Sequence, residues 1–226
     1  MIYKEFIIDR PPERFEACPY AAISTEDRPA TTKHFLDKFA LLCRVLALGH
    51  VFSRAKGNNV FVVVGRNKKI NKALFQFLRA VGLSPIEWER ARAKTGKANP
   101  YIGEILDQGF KMAAAVVVLM TPDDEAKLKP AFLTDDDDPF ERRPTGQGRP
   151  NVLFEAGFAM GKYPDHTVLV QVGKLRPFSD ISGRHVVRMT GGAESRHAFV
   201  GRLRSAGLDA QTDGTDWLSE GDFSIS

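Results

Sequence analysis

From residue 60 onward two hydrophobic rhythms alternate along the chain. Val60-Phe61-Val62-Val63-Val64 is a continuous apolar, β-branched run, the pattern of a strand covered on both faces. Gly65-Arg66-Asn67 breaks it, and a helical stripe follows with Leu74, Phe77, Leu78 and Val81, ended by Gly82. Pro85-Ile86-Glu87-Trp88 predicts a short second strand. Ile102, Ile105, Leu106 and Phe110 give the next helix, beginning near Asn99-Pro100. Ala114 to Met120 is a second doubly buried strand. An irregular stretch over 121–149 precedes a helix from Pro150 to Met160, closed by Gly161 and Pro164. Thr167 to Val172 and the weaker His185 to Met189 complete the strands, and residues 195–206 form a last helix with Phe199, Val200 and Leu203 inward.

Residues 1–58 differ. Pro11, Pro12, Pro19 and Pro29 confine the start to turns and extended pieces. Phe35, Leu36, Phe39, Leu42, Val45, Leu46 and Phe52 then recur at helical spacing across 31–53, and Gly57-Asn58-Asn59 is a linker. The predicted organisation is an appendage over 1–58, an α/β domain over 59–206 and a polar, frayed tail over 207–226. Buried parallel strands alternating with helices specify an open five-stranded sheet with helices on both faces. Ligands in such folds sit at the carboxyl ends of the strands, where strand order reverses. Gly65 to Lys68, the segment after Trp88 and the loop after Met120 should therefore border one crevice.

Composition narrows the classes. Of 226 residues, 32 are basic and 28 acidic, a net +4, with 43% hydrophobic, which fits a globular protein. The longest apolar run, Ala113 to Met120, has eight residues against the roughly 20 that a membrane helix needs. No basic, then apolar leader follows Met1, and two cysteines are too few for a disulfide framework, so a reduced, cytoplasmic protein is expected. Charge is uneven. Arg66 to Lys97 carries nine Lys/Arg and two acids, and Asp123 to Glu141 carries eight acids and two lysines. The first segment suits an anionic ligand or simply a solvated surface.

Several chemistries are excluded. No Walker A loop, no Gly-x-Gly-x-x-Gly after the first strand and no Gly-x-Ser-x-Gly elbow occur. The five histidines lack metal-ligand spacing, so no metal site is expected. The basic segment has no interleaved aromatics, which argues against nucleic-acid binding. What remains is Glu155, alone in the apolar helix Asn151-Val152-Leu153-Phe154-Glu155-Ala156-Gly157-Phe158-Ala159-Met160-Gly161. Such an acid is either a boundary residue paired with a cation such as Arg149, or a desolvated carboxyl of the kind found in active sites.

The motifs Thr95 to Glu104, Leu119 to Glu125, Arg149 to Gly157 and Leu175 to His185 fall in the order seen in a known group. With them the chain resembles the bacterial TIR-like domains that act as effectors of STING-fused and Pycsar antiphage systems. The resemblance implies a flavodoxin-like TIR fold and hydrolysis of NAD at the nicotinamide–ribose bond, with NAD as substrate and no further cofactor. The family's catalytic glutamate corresponds to Glu155. Its first loop, His-Gly-Arg-Asp, stands here as Val64-Gly65-Arg66-Asn67, so two positions depart from the pattern. Gly65, Arg66 and Asn67 are the implied substrate contacts at that loop. Trp88, Lys97 and Tyr101 are candidates to line the same crevice. The resemblance also implies homo-oligomeric assembly and a separate sensor protein or cyclic-nucleotide signal, because a sensor domain needs on the order of 100–150 residues.

One acid suffices for that chemistry. A glycosidase protonates a departing alkoxide and commonly needs two carboxylates. The nicotinamide of NAD is already a cationic pyridinium and leaves neutral, so the site has only to stabilise positive charge on the ribose. Two other functions fit the same sequence: a non-catalytic TIR nucleotide-binding or oligomerisation module, and a nucleoside deoxyribosyltransferase-like enzyme, which also uses a glutamate on a flavodoxin-like fold.

Overall fold

The computed structural model describes residues 57–177, 181 and 185–225, so the helix expected over 31–53 lies outside the described residues. The strands, in chain order, are β1 (Asn59–Val63), β2 (Ser84–Ile86), β3 (Ala115–Met120), β4 (Asp124–Ala126), β5 (Thr145–Gln147), β6 (Thr167–Gln171) and β7 (Val187–Arg188). Five of them form a parallel sheet in the order β2-β1-β3-β6-β7. The chain leaves β1 for β2 on one side and returns to β3 on the other, which places the reversal of strand order between β1 and β3.

Period-two alternation divides the sheet's side chains between two cores. Val60, Val62, Ala115, Val117, Leu119, Val168 and Val170 face one layer. That layer is α1 (Lys68–Ala80) and, at the end of the fold, a helix over Ala193–Ser205. Phe61, Val63, Val116, Val118, Met120 and Leu169 face the other. It contains α2 (Trp88–Lys94), α3 (Ile102–Met112) and, after the one-turn α4 (Pro139–Arg142), the helix α5 (Pro150–Lys162). The helix over Ala193–Ser205 is α6. Continuous apolar strands follow from this double coverage, since every residue of β3 is buried.

Two glycines set distances that matter for the site. Gly82 ends α1 with φ +76°, the left-handed conformation that releases the chain toward β2. Gly109 lets α3 lie close on β1, because a Cβ there would come within 2.6 Å of the Phe61 ring.

The structure corrects four expectations. The second strand stops at Ile86, and Trp88 opens α2, a segment of helix formers that follows extended Glu87. The stretch over 121–149 is ordered by β4 pairing antiparallel with β5, so Gly146 and Gln147 are strand-bound, with Gly146 packed against Pro122. Arg142 further ties it by donating to the carbonyls of Thr134, Asp135 and Asp137. The fifth strand shrinks to two residues at the sheet edge. The tail is packed rather than frayed: Trp217 and Phe223 are buried in the first core, beside Arg196 of α6.

Candidate active site

Two loops meet where strand order reverses. After β1 the chain turns at Gly65, and Asn67 caps α1 by accepting a hydrogen bond from the Ile70 amide at 3.2 Å. Asn71 donates to the Gly65 carbonyl at 2.9 Å. After β3, buried Thr121 donates to Asp123 Oδ1 at 2.7 Å, and Asp123 Oδ2 accepts from the Arg66 amide at 2.6 Å. The carboxylate fills the space where Gly65 would carry a Cβ. Asp123 thus bolts the loop after β3 onto the loop after β1. The Leu119 to Glu125 motif contains it without singling it out, though its place just past a buried strand end was a usable signal. Asn67 differs from the aspartate of the family's loop, yet both residues are good helix caps.

The Arg66 side chain is exposed, and its guanidinium has no partner among the described residues. Trp88 is half-buried and stacks on Phe61 with ring centroids 6.4 Å apart. The ring contacts continue from Phe61 to Phe110 of α3 at 5.8 Å, and from Phe110 to Phe158 of α5 at 5.9 Å. Phe158 lies one turn from Glu155, so the edge of α5 that carries the glutamate faces α3.

Helix α5 connects parallel strands and therefore runs against them, with its amino end at the carboxyl rim of the sheet. Val152, Ala156 and Ala159 are its buried stripe. Glu155 borders that stripe in the second turn, about 8 Å along the axis from Pro150. It is half-buried, and burial alone pushes its carboxyl up to about 7 from an ordinary 4.5. Nothing among the described residues donates to it or pairs with it. Arg149, the cation nearest in sequence, lies 3.9 Å from Asp124 instead.

Lys97 and Tyr101 sit at the amino end of α3, where both engage Glu104. Lys97 forms an ion pair with it, and the Tyr101 amide donates to it at 3.1 Å. The hydrogen bond from Lys97 holds the Glu104 carboxyl below the usual range. The Tyr101 ring remains 81% exposed. The structure therefore places Gly65, Arg66 and Asn67 on the loop after β1, Trp88 at one end of an aromatic row whose other end, Phe158, is one helical turn from Glu155, and Lys97 with Tyr101 around Glu104.

Residues 59–191, 133 of the 226 positions, match the family described as the CAP12/Pycsar effector protein, TIR domain. The chain belongs to that family. No curated protein and no solved structure matches it. The matched span of the TIR domain runs from the first residue of β1 through β7, so it contains both loops of the crevice and the whole of α5. Among the described residues, no cluster of His, Cys, Asp or Glu in the TIR domain could hold a metal ion, and no helix is long and apolar enough to cross a membrane.

Proposed function

We propose that this TIR effector hydrolyses NAD at the nicotinamide–ribose bond, with Glu155 as its catalytic carboxylate. The observation that carries the reading is a half-buried carboxyl, without a cation among the described residues, near the rim of the sheet, in a site that raises its proton affinity. An acid left in that state costs stability, and a pyridinium substrate supplies the missing positive charge. In the reaction the C1′–N bond breaks with its electron pair going to nicotinamide, which leaves neutral. Water adds to C1′, and its proton passes to solvent. Glu155 stabilises the positive charge that grows on the ribose, and the low-dielectric edge of α5 strengthens the effect.

The other candidates take supporting roles. Arg66 meets a phosphate or ribose hydroxyl at the end of β1, on a loop that Asn67 and Asp123 hold in place. Trp88 offers a ring face for stacking. Tyr101 lines the entrance, and Lys97 holds Glu104 and with it the loop before α3. Membership among Pycsar effectors supports a cyclic-nucleotide signal and a sensor for it. On this reading the effector acts in the cytoplasm as a homo-oligomer, with NAD as its substrate.

The test follows nicotinamide release across protein concentration while particle size is measured in parallel, for the native chain and for Glu155→Gln. Turnover that rises with assembly and falls at least ~10²-fold in the folded variant supports the proposal. Unchanged turnover in Glu155→Gln ends the catalytic assignment. Oligomers that never release nicotinamide leave the scaffold reading. Faster release of base from deoxynucleosides than from NAD favours the deoxyribosyltransferase-like reading.

A further inference from the structure

A cleft about 1260 Å³ in volume opens at the carboxyl ends of β3, β6 and β7. It lies on the other side of α5 from Glu155: Leu153 lines it, and residues two apart on a helix point about 200° from each other. Its apolar surface comes from Leu153, Leu175, Val186 and Ile225, with Met120, Met189 and Phe223 buried behind them. Its cations are Lys174 and Arg188, neither of which has a side-chain partner among the described residues. Arg176 also borders it but is already neutralised by Glu141. Gln147 and Gln171 add amides that can either donate or accept.

One wall is held in place before any ligand arrives. Lys69 of α1 pairs with Asp222 at 2.9 Å and donates to the Ser224 carbonyl at 2.9 Å. Arg196 grips the carbonyls of Trp217, Glu220 and Gly221, which fixes the chain leading to Phe223. The cleft is thus a concavity with one wall pinned, an apolar surface and two cations that have no side-chain partner among the described residues.

We infer that this cleft binds a nucleoside phosphate, at a site separate from the one around Glu155. Lys174 and Arg188 match a dianionic phosphate, and the apolar surface takes the base and sugar. A bare inorganic anion would leave that surface wet. The inference does not depend on NAD cleavage, since it uses none of the groups assigned to that reaction.

ADP is the probe, titrated by calorimetry into the native chain, Glu155→Gln, Trp88→Ala, the double variant Lys174→Gln/Arg188→Gln, and Lys174→Glu, with unchanged melting as the check on folding. ADP should bind the native chain, Glu155→Gln and Trp88→Ala alike. It should bind the double variant and Lys174→Glu at least ~10-fold more weakly, the scale of a lost charge-assisted contact. Inorganic phosphate should bind at least ~10-fold more weakly than ADP. The inference is overturned if ADP does not bind, if its affinity survives in the double variant, if phosphate alone binds as well, or if binding is lost in Glu155→Gln or Trp88→Ala.

Discussion

Arg149 lies 3.9 Å from Asp124 and leaves Glu155, in the second turn of the helix that follows, without a cation among the described residues. Sequence proximity alone would have paired the arginine with the glutamate. The fold pairs it with the strand that follows β3, and the glutamate is left to burial. A charge-neutralising partner is available and is used elsewhere, so the high proton affinity of Glu155 is a property of how the loop and helix are arranged.

That arrangement has a thermodynamic signature. Glu155 binds its proton with a pKa of about 7 in the folded chain and near 4.5 when unfolded. Between those values the folded state holds more protons, so stability falls as pH rises from 4.5 through 7 and the loss is complete above 7. Glu155→Gln removes the ionisation. The variant should match the native chain at pH 4 and exceed it by about 1–3 kcal/mol at pH 8, a figure kept below the full shift because the group is only half-buried. Urea denaturation at the two pH values measures this. An equal difference at both would mean that the carboxyl is not desolvated.

The same titration governs catalysis with the opposite sign. Only the ionised carboxylate stabilises a cationic ribose, so kcat/KM for NAD should rise with pH and level off above about 7. The limb in kcat should lie lower, because bound pyridinium favours the charged acid. Initial-rate nicotinamide assays from pH 5 to 9 give both profiles. A kcat/KM that falls across pH 6 to 8 would contradict the assigned role.

Gly65 and Asp123 should be coupled. A Cβ at Gly65 overlaps the Asp123 carboxylate, so Gly65→Ala must push it off the Arg66 amide. The single variant should lose about 1–3 kcal/mol and much of its activity. Gly65→Ala combined with Asp123→Ala removes the overlap. The pair should cost less stability than the two single changes added together, by about 0.5–3 kcal/mol. Additive losses in a denaturation cycle would show that the two loops are independent.

Most of the sheet was legible because its strands are buried on both faces. Val60 to Val64 and Ala114 to Met120 have no polar residue to confuse the period, and the two cores then follow from alternation. Trp88 was misread because a strand of three residues carries too little pattern to mark its end. The tail was misread for another reason. Trp217 and Phe223 sit singly among polar residues, and their burial depends on Arg196, which gave no local hint of lying inside. Glu155 stood out as the single acid on an apolar helix, whereas Asp123 sat in the Leu119 to Glu125 motif beside Asp124 and Glu125 with nothing to set it apart, and Lys97 was drawn away by Glu104. Contacts between loops distant in sequence leave no periodic trace.

Arg196 provides the last prediction. Arg196 is 3% exposed, and its guanidinium donates to four carbonyls, those of Gly191, Trp217, Glu220 and Gly221. It also lies 5.5 Å from the Phe77 ring centroid and 5.4 Å from that of Phe223. Among the described residues no carboxylate side chain pairs with it directly, so carbonyl dipoles and ring faces offset its desolvation. A lysine has three donors on one atom and cannot span the four acceptors that the planar fork reaches. Arg196→Lys should therefore cost about 2–4 kcal/mol, although charge is kept. The loss should be local as well as global, because these carbonyls belong to the chain that carries Trp217 and Phe223. Hydrogen exchange should show amides over 216–224 losing protection while those of β3 stay slow at low denaturant. If Arg196→Lys leaves both the denaturation midpoint and that protection unchanged, the packing of the tail rests on its aromatic residues and not on the buried cation.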